Sequence, residues 1–377
     1  MGESVKETGI MEKINLSEMY IDDEIRKKVI DVLDSGRYIK GEENKKFEEE
    51  FARFVGAKHA VSVNSGTAAL YLAMLAANLR KGAEVVMPSH TFIATASPAI
   101  ELGAAPAFAD IDGESYTMDP AEAVKKVSKN TAGFVPVHLY GHPVDMDPLV
   151  EEARKKGLFI IEDCCQAHGA LYKGKGVGSI GTAGCFSFFP SKNMTVAGDG
   201  GMLVTNDSEI AEKAAMLRDQ GRKKTEKYVH DLLGYNFRLS EIHAAIGRLQ
   251  LRHLPEWLEK RRNVAARYNK FISEKRLDGV VVPKEKDWAK CVYYVYTIRC
   301  PGRDGLVAHL NKAGIATGIY YPVPVHLQPS VTALFKPSKL EITEKYCKEI
   351  LSLPMFPGLT DAQISYIADR ISEFHRK

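Results

Sequence analysis

The chain has 377 residues, 45% hydrophobic and 26% charged, a globular composition that excludes disorder, collagen-like repeats and disulfide miniproteins. Its 51 Lys and Arg against 48 Asp and Glu leave a charge of +3, too balanced for a nucleic-acid binder, and no basic run exceeds three residues (Arg222-Lys223-Lys224). No window of 18 apolar residues occurs, so no membrane span is expected. Residues 1–13 are polar and mixed in charge, read as a flexible tail without a secretory signal. Six cysteines with no Cys-x-x-Cys pair argue against a disulfide scaffold or structural zinc, and predict reduced thiols in the cytoplasm. Helical spacing then appears at Ile25, Val29, Ile30, Val32 and Leu33, and at Phe47, Phe51, Phe54 and Val55. Short apolar runs predict strands at 60–63, 84–87, 105–108, 133–137, 158–161 and 185–188, with helices at 68–77, 93–102 and 149–156 between them. This alternation predicts an α/β large domain over 14–250 around a mostly parallel sheet. Residues 241–273 read as one long helix, interrupted or kinked at Pro255. An extended run (293–298), a helix (304–312), an extended piece (316–320) and an amphipathic helix (361–375) predict a smaller C-terminal α+β domain over 251–377.

One glycine pattern misleads. Gly176-Val177-Gly178-Ser179-Ile180-Gly181 fits the dinucleotide fingerprint, but an apolar strand-like run, Gly184 to Phe189, follows it where a helix is required. It reads as a turn-rich connector, which disfavours a nicotinamide oxidoreductase. Asn64-Ser65-Gly66-Thr67 sits between a predicted strand and helix, and is either a phosphate loop or a plain helix cap. Leu158-Phe159-Ile160-Ile161 leads into Glu162-Asp163, placing Asp163 at a strand's carboxyl end, where open α/β sheets bind ligands. The next strand-like run delivers Phe186-Ser187-Phe188-Phe189-Pro190-Ser191-Lys192. Alone, Asp163 could be a cap and Lys192 a surface lysine. Together they suit a pyridinium cofactor that needs an anion at its ring nitrogen and an amine at its carbonyl. His138 and His142 flank a Gly-containing loop before Pro143, so no metal site is expected there, and His168 reads either as a contact of this site or as a buried core histidine.

Five segments occur in an order that resembles the DegT/StrS family of pyridoxal-phosphate sugar aminotransferases, of aspartate-aminotransferase fold (fold type I). They are Ser65–Leu70, Glu162–Ala170, Phe186–Lys192, Gly198–Gly201 and Gly234–Arg238, and the resemblance runs from about Tyr38 to Gln328. It implies pyridoxal 5'-phosphate as cofactor, with Lys192 carrying it as a Schiff base and then moving the proton, and Asp163 pairing with the ring nitrogen. It further implies Phe92 stacked on the ring, Gly66, Thr67 and Ser187 at the phosphate, and Gln166 near the ring oxygen. Asn236 would reach the phosphate of the partner subunit's cofactor, making a homodimer with shared sites. Tyr321, His326 and Arg238 would face substrate or amino donor. Two departures stand out: Asp199 replaces a usual Glu, and Cys164-Cys165 replaces two alanines. The implied activity passes an amino group from glutamate or glutamine, through a pyridoxamine phosphate intermediate, to a keto group of a nucleotide-linked sugar or related cyclic ketone. The 3-keto position is slightly favoured over the 4-keto. A sugar dehydratase would carry histidine at position 192, and a cofactor-binding regulator leaves the complete lysine, aspartate and phosphate set unexplained.

Overall fold

The computed structural model describes residues 13–376 except 224, 225, 227 and 278, so residues 1–12 of the expected tail lie outside the described residues. Seven strands form the central sheet: β1 (His59–Val63), β2 (Glu84–Pro88), β3 (Ala105–Ala109), β4 (Thr131–Phe134), β5 (Phe159–Asp163), β6 (Ala183–Ser187) and β7 (Gly201–Thr205). Their order is β1-β7-β6-β5-β4-β2-β3, with β7 antiparallel to both neighbours and every other pairing parallel. A mostly parallel sheet is covered on both faces, so its strands read as continuous apolar runs. Successive residues feed opposite cores. Val85 and Met87 pack with the helix Gly66–Ala76, whereas Val86 packs with Phe47 and Phe51 of the helix Glu42–Val55. A two-stranded antiparallel sheet, Tyr296–Arg299 with Ile350–Leu353, gathers a separate apolar cluster with the helix Asp361–His375. Asp110 ties that C-terminal part to the end of β3 by accepting from Ile342 N and from Thr343 N and Oγ1 (2.7–3.0 Å). Among the described residues no helix is long and apolar enough to cross a membrane, and all six cysteines are free.

Several elements differ from the sequence reading, each for a local reason. The helix Glu241–Glu274 runs unbroken through Pro255. A mid-helix proline costs about 3 kcal/mol, and burial of Leu251, Leu254, Trp257 and Leu258 around it offsets that cost. The helix expected over 93–102 divides into a 3-10 turn (Ile93–Thr95) and the short helix Ser97–Glu101, restarting at Pro98, which is suited to a first turn. β4 stops at Phe134 because Pro136 has no N–H to extend the ladder. The run 293–298 becomes a strand only from Tyr296, since Val292 N and Tyr294 N donate to the carbonyls of Gly141 and Tyr140. Residues 316–320 make a single bridge, Gly318 to Ser352, before the Tyr320 carbonyl is taken by the Tyr140 hydroxyl. β7 and the helix Ser208–Arg218 were not foreseen; Met202-Leu203-Val204 is their apolar signal.

The glycine-rich connector has a structural task. Glu162 is fully buried, and its carboxylate accepts from Gly178 N (2.8 Å), Ile180 N (2.9 Å), Gly181 N (2.7 Å) and the His138 ring (3.0 Å). His138 Nδ1 accepts from Val144 N, which leaves Nε2 as the protonated donor. Gly178 has φ +92°, and a Cβ there would meet the Phe186 ring at 2.8 Å. These partners already engage the Glu162 carboxylate and both ring nitrogens of His138, beside which the Cys164 thiol lies. Glu162→Gln turns an amide N–H toward backbone donors and should lower stability by about 2–4 kcal/mol in urea denaturation. A wild-type midpoint would contradict this account.

Candidate active site

Glu162 and Asp163 close β5 together, and strand alternation sends their side chains to opposite faces. Asp163 thereby enters a cavity of about 390 Å³ at the carboxyl edge of the sheet. It is 5% exposed, and both oxygens are held: Oδ2 accepts from Thr95 Oγ1 (2.7 Å) and Oδ1 from Cys165 N (3.1 Å). Thr91 Oγ1 lies 2.8 Å from Thr95 Oγ1, so two hydroxyls on one turn fix the carboxylate. Each oxygen keeps a lone pair for a donor in the cavity.

Ser65 caps the helix Gly66–Ala76 by accepting from Ala68 N (3.1 Å), and the first N–H groups, of Gly66 and Thr67, point beyond the helix end without an intrahelical partner. A Cβ on Gly66 would lie 2.8 Å from both Cys165 Sγ and Ser187 Cβ, so only glycine lets this helix end approach β6. The arrangement is an anion cradle, with the helix dipole, two amides and the hydroxyls of Thr67 and Ser187 around it. Lys192 enters from the loop after β6, with Nζ 4.6 Å from the Tyr294 ring centroid; the Tyr294 hydroxyl in turn meets Ser191 Oγ (3.0 Å).

The remaining wall comes from distant sequence. Tyr321 accepts from Gln166 Nε2 (3.1 Å), while Gln166 Oε1 accepts from Tyr140 N (2.8 Å). Burial raises the Tyr321 phenol, so it stays a neutral donor. Phe92 and Tyr321 face each other at 5.7 Å. The Tyr140 hydroxyl donates to the Tyr320 carbonyl and accepts from His90 Nε2 (2.9 Å). Burial pushes His90 down to about 4 and keeps it neutral.

Of the residues singled out in the sequence, Gly66, Thr67, Phe92, Asp163, Gln166, Ser187, Lys192 and Tyr321 line this one cavity. Three do not. Asn236 is exposed and bridges Asp219 through the backbone. Arg238 Nη1 donates to Asp219 Oδ1 (2.7 Å); burial would raise that carboxyl, but Lys40 and Arg238 outweigh it and hold it below the usual range. His326 is buried between Ser89 Oγ (2.6 Å) and Glu344 (3.4 Å). His168 is fully buried against Phe186 and Phe188, without a hydrogen-bond partner for either nitrogen. Sequence reasoning missed Thr95, Thr91, Cys165 and Tyr294. The four-residue spacing of Thr91 and Thr95 was the one signal present.

Known proteins share this sequence and this fold. A family profile described as the DegT/DnrJ/EryC1/StrS aminotransferase family matches residues 19–372. The chain is 45% identical over 366 residues (96% of this chain, 98% of the relative) to a Geobacillus stearothermophilus protein named pleiotropic regulatory protein. It is 41% identical over 344 residues (91% and 90%) to the Streptomyces venezuelae dTDP-3-amino-3,4,6-trideoxy-alpha-D-glucose transaminase. The crystal structure of S. venezuelae DesV in complex with a ketimine intermediate superposes with a TM-score of 0.93, at 38% identity, over 97% of this chain and 100% of that one.

His90 and His168, the latter pushed down to about 3 by burial and by Lys192, stay neutral in the folded chain. The unfolded chain protonates both below about pH 6.5, so stability should fall as pH drops from 6.5 toward 4, by about 1.4 kcal/mol per unit for each histidine. His168→Leu keeps the packing on Phe186 and Phe188 and should remove its share of that slope in urea melts between pH 6 and 4.5. An unchanged slope would sink the assignment.

Proposed function

The chain belongs to the DegT/DnrJ/EryC1/StrS aminotransferase family, and from that premise we propose that it moves the amino group of glutamate or glutamine onto a ketone of a nucleotide-linked sugar, using pyridoxal 5'-phosphate. One observation carries the reading: a buried, doubly held carboxylate and a lysine line one cavity beside the open N-terminus of a helix. The residues fit that cofactor. Asp163 offers lone pairs to a ring N–H, Gly66, Thr67 and Ser187 offer donors to a phosphate, and Phe92 offers an aromatic face. When bound, the cofactor supplies a carbonyl that takes up the amino group and a cationic ring that withdraws electrons from the substrate carbon.

This chain's own residues do the rest. Thr95 and Cys165 N fix Asp163 so that its charge stays at the ring nitrogen. Lys192, on a short loop, takes the proton from one carbon and delivers it to the next as a tethered acid and base. Gln166 orients the Tyr321 hydroxyl, leaving its proton free to donate into the cavity. The lysine at 192 supports transamination over a dehydratase, and the complete carboxylate and lysine set supports an enzyme over a pure regulator, whatever the name of the Geobacillus relative. The 3-amino sugar in the name of the Streptomyces relative supports amination at the 3-position; a 4-keto sugar is the alternative.

Phe92 and Phe189, 54% and 50% exposed at this cavity, support a second copy covering its mouth, with Asn236 and Arg238 contributed across the interface. A cytoplasmic location and a division near residue 250 belong to the same proposal, the latter supported by the separate C-terminal apolar cluster.

Borohydride reduction followed by peptide mapping should place a pyridoxyl adduct on Lys192; an adduct on any other lysine refutes the assignment. Asp163→Ala should weaken cofactor retention about ten- to hundredfold, measured by equilibrium dialysis. A mixture of Lys192→Ala and Asn236→Ala subunits should regain activity that neither variant has alone, and its failure to do so would rule out shared sites.

A further inference from the structure

Lys192 also lines a second cavity, of about 280 Å³, and is the one residue common to both. Its other walls include Tyr20, Asn193, Gln250, Trp257 and Arg261, with Glu18 and Lys260 also lining it. Asn193 is 5% exposed, and neither its Oδ1 nor its Nδ2 has a hydrogen-bond partner. Burying both ends of a carboxamide unpaired is unfavourable, and native structures rarely do so without a ligand or water. Arg261 is 3% exposed and donates from Nη1 to the carbonyls of Tyr293, Tyr294 and Met355, while Nε has no partner. Burial pushes it down to about 10, so it remains a cation at neutral pH.

Other sheltered guanidiniums in this protein meet carboxylates: Arg218 meets Glu48, Arg248 meets Glu43 and Glu50, and Arg303 meets Asp304. Among the described residues Arg261 meets none, and Lys260 already pairs with Glu256 (2.6 Å). A buried cation without a counterion and an unpaired carboxamide thus share one wall. An anion answers the first, and a ligand that both accepts and donates answers the second.

We propose that this cavity binds a small hydroxy- or amino-carboxylate, its carboxylate received by the Arg261 guanidinium and Asn193 Nδ2, and its O–H or N–H donated to Asn193 Oδ1. The site is independent of the sugar reading, because it rests on residues the other cavity does not use. Its ligand is either the amino donor on its way to Lys192 or a separate acid acting as an effector.

Trp257 lines the cavity, and Trp288 is the chain's other tryptophan, so Trp288→Phe holoenzyme reports on this site alone. Titration with 2-hydroxyglutarate, which has no amino group to transfer, should change Trp257 emission saturably and bind more tightly than glutarate. Asn193→Leu, at a side chain that makes no protein hydrogen bond, should weaken that binding about tenfold or more while the thermal midpoint stays near wild type. Equal binding to Asn193→Leu, or no saturable change, overturns the proposal. Inhibition competitive with glutamate would identify the amino donor as the ligand, and non-competitive inhibition a separate effector; either keeps the site.

Discussion

The alternation of side chains at the end of β5 is the constraint on which the site depends. Two consecutive carboxylates leave the same strand in opposite directions, and each needs its own solution to burial. Glu162 turns into the core and is held by hydrogen bonds from three backbone amides and a histidine, which locks the connector 176–181 under the strand. Asp163 turns the other way with only two donors, keeping capacity for a third in the cavity. A slip of one residue in the register of β5 would exchange these environments and destroy both.

Around that fixed carboxylate the cavity is assembled from parts that are rigid for different reasons. One wall is a helix end pressed against β6 so closely that a methyl group would not fit. The aromatic wall is held by a chain of hydrogen bonds, from His90 through Tyr140 to the Tyr320 carbonyl, and from Gln166 to Tyr321. Buried polar networks of this kind favour one arrangement over near alternatives, because every break leaves an unpaired group.

Much of this was legible in the residues. Strands buried on two faces announce themselves as apolar runs, and Asp163 and Lys192 could be placed at strand ends from those runs alone. The glycine pattern at 176–181 was rightly refused a helix, although nothing in its spacing revealed that Glu162 was its ligand. Thr95 and Tyr294 were illegible because hydroxyls and aromatics are common everywhere, and their partners lie 68 and 103 residues away. His326 resembled a ligand by its segment but packs as a structural link, since Ser89 and Glu344 already engage both ring nitrogens. β7 was hidden by the glycines that precede it.

The long reach of the aromatic wall has a consequence for biosynthesis. All seven strands of the sheet lie before residue 206, so a nascent chain can assemble them while its last third is still unmade. The contacts that seat the wall, His90 with Cys347 and Ser89 with His326, span 257 and 237 residues. Such distant closures form late. A polypeptide released early would carry the lysine and the aspartate in an open trough, exposed to water, and competence for chemistry arrives only with translation of the final helices.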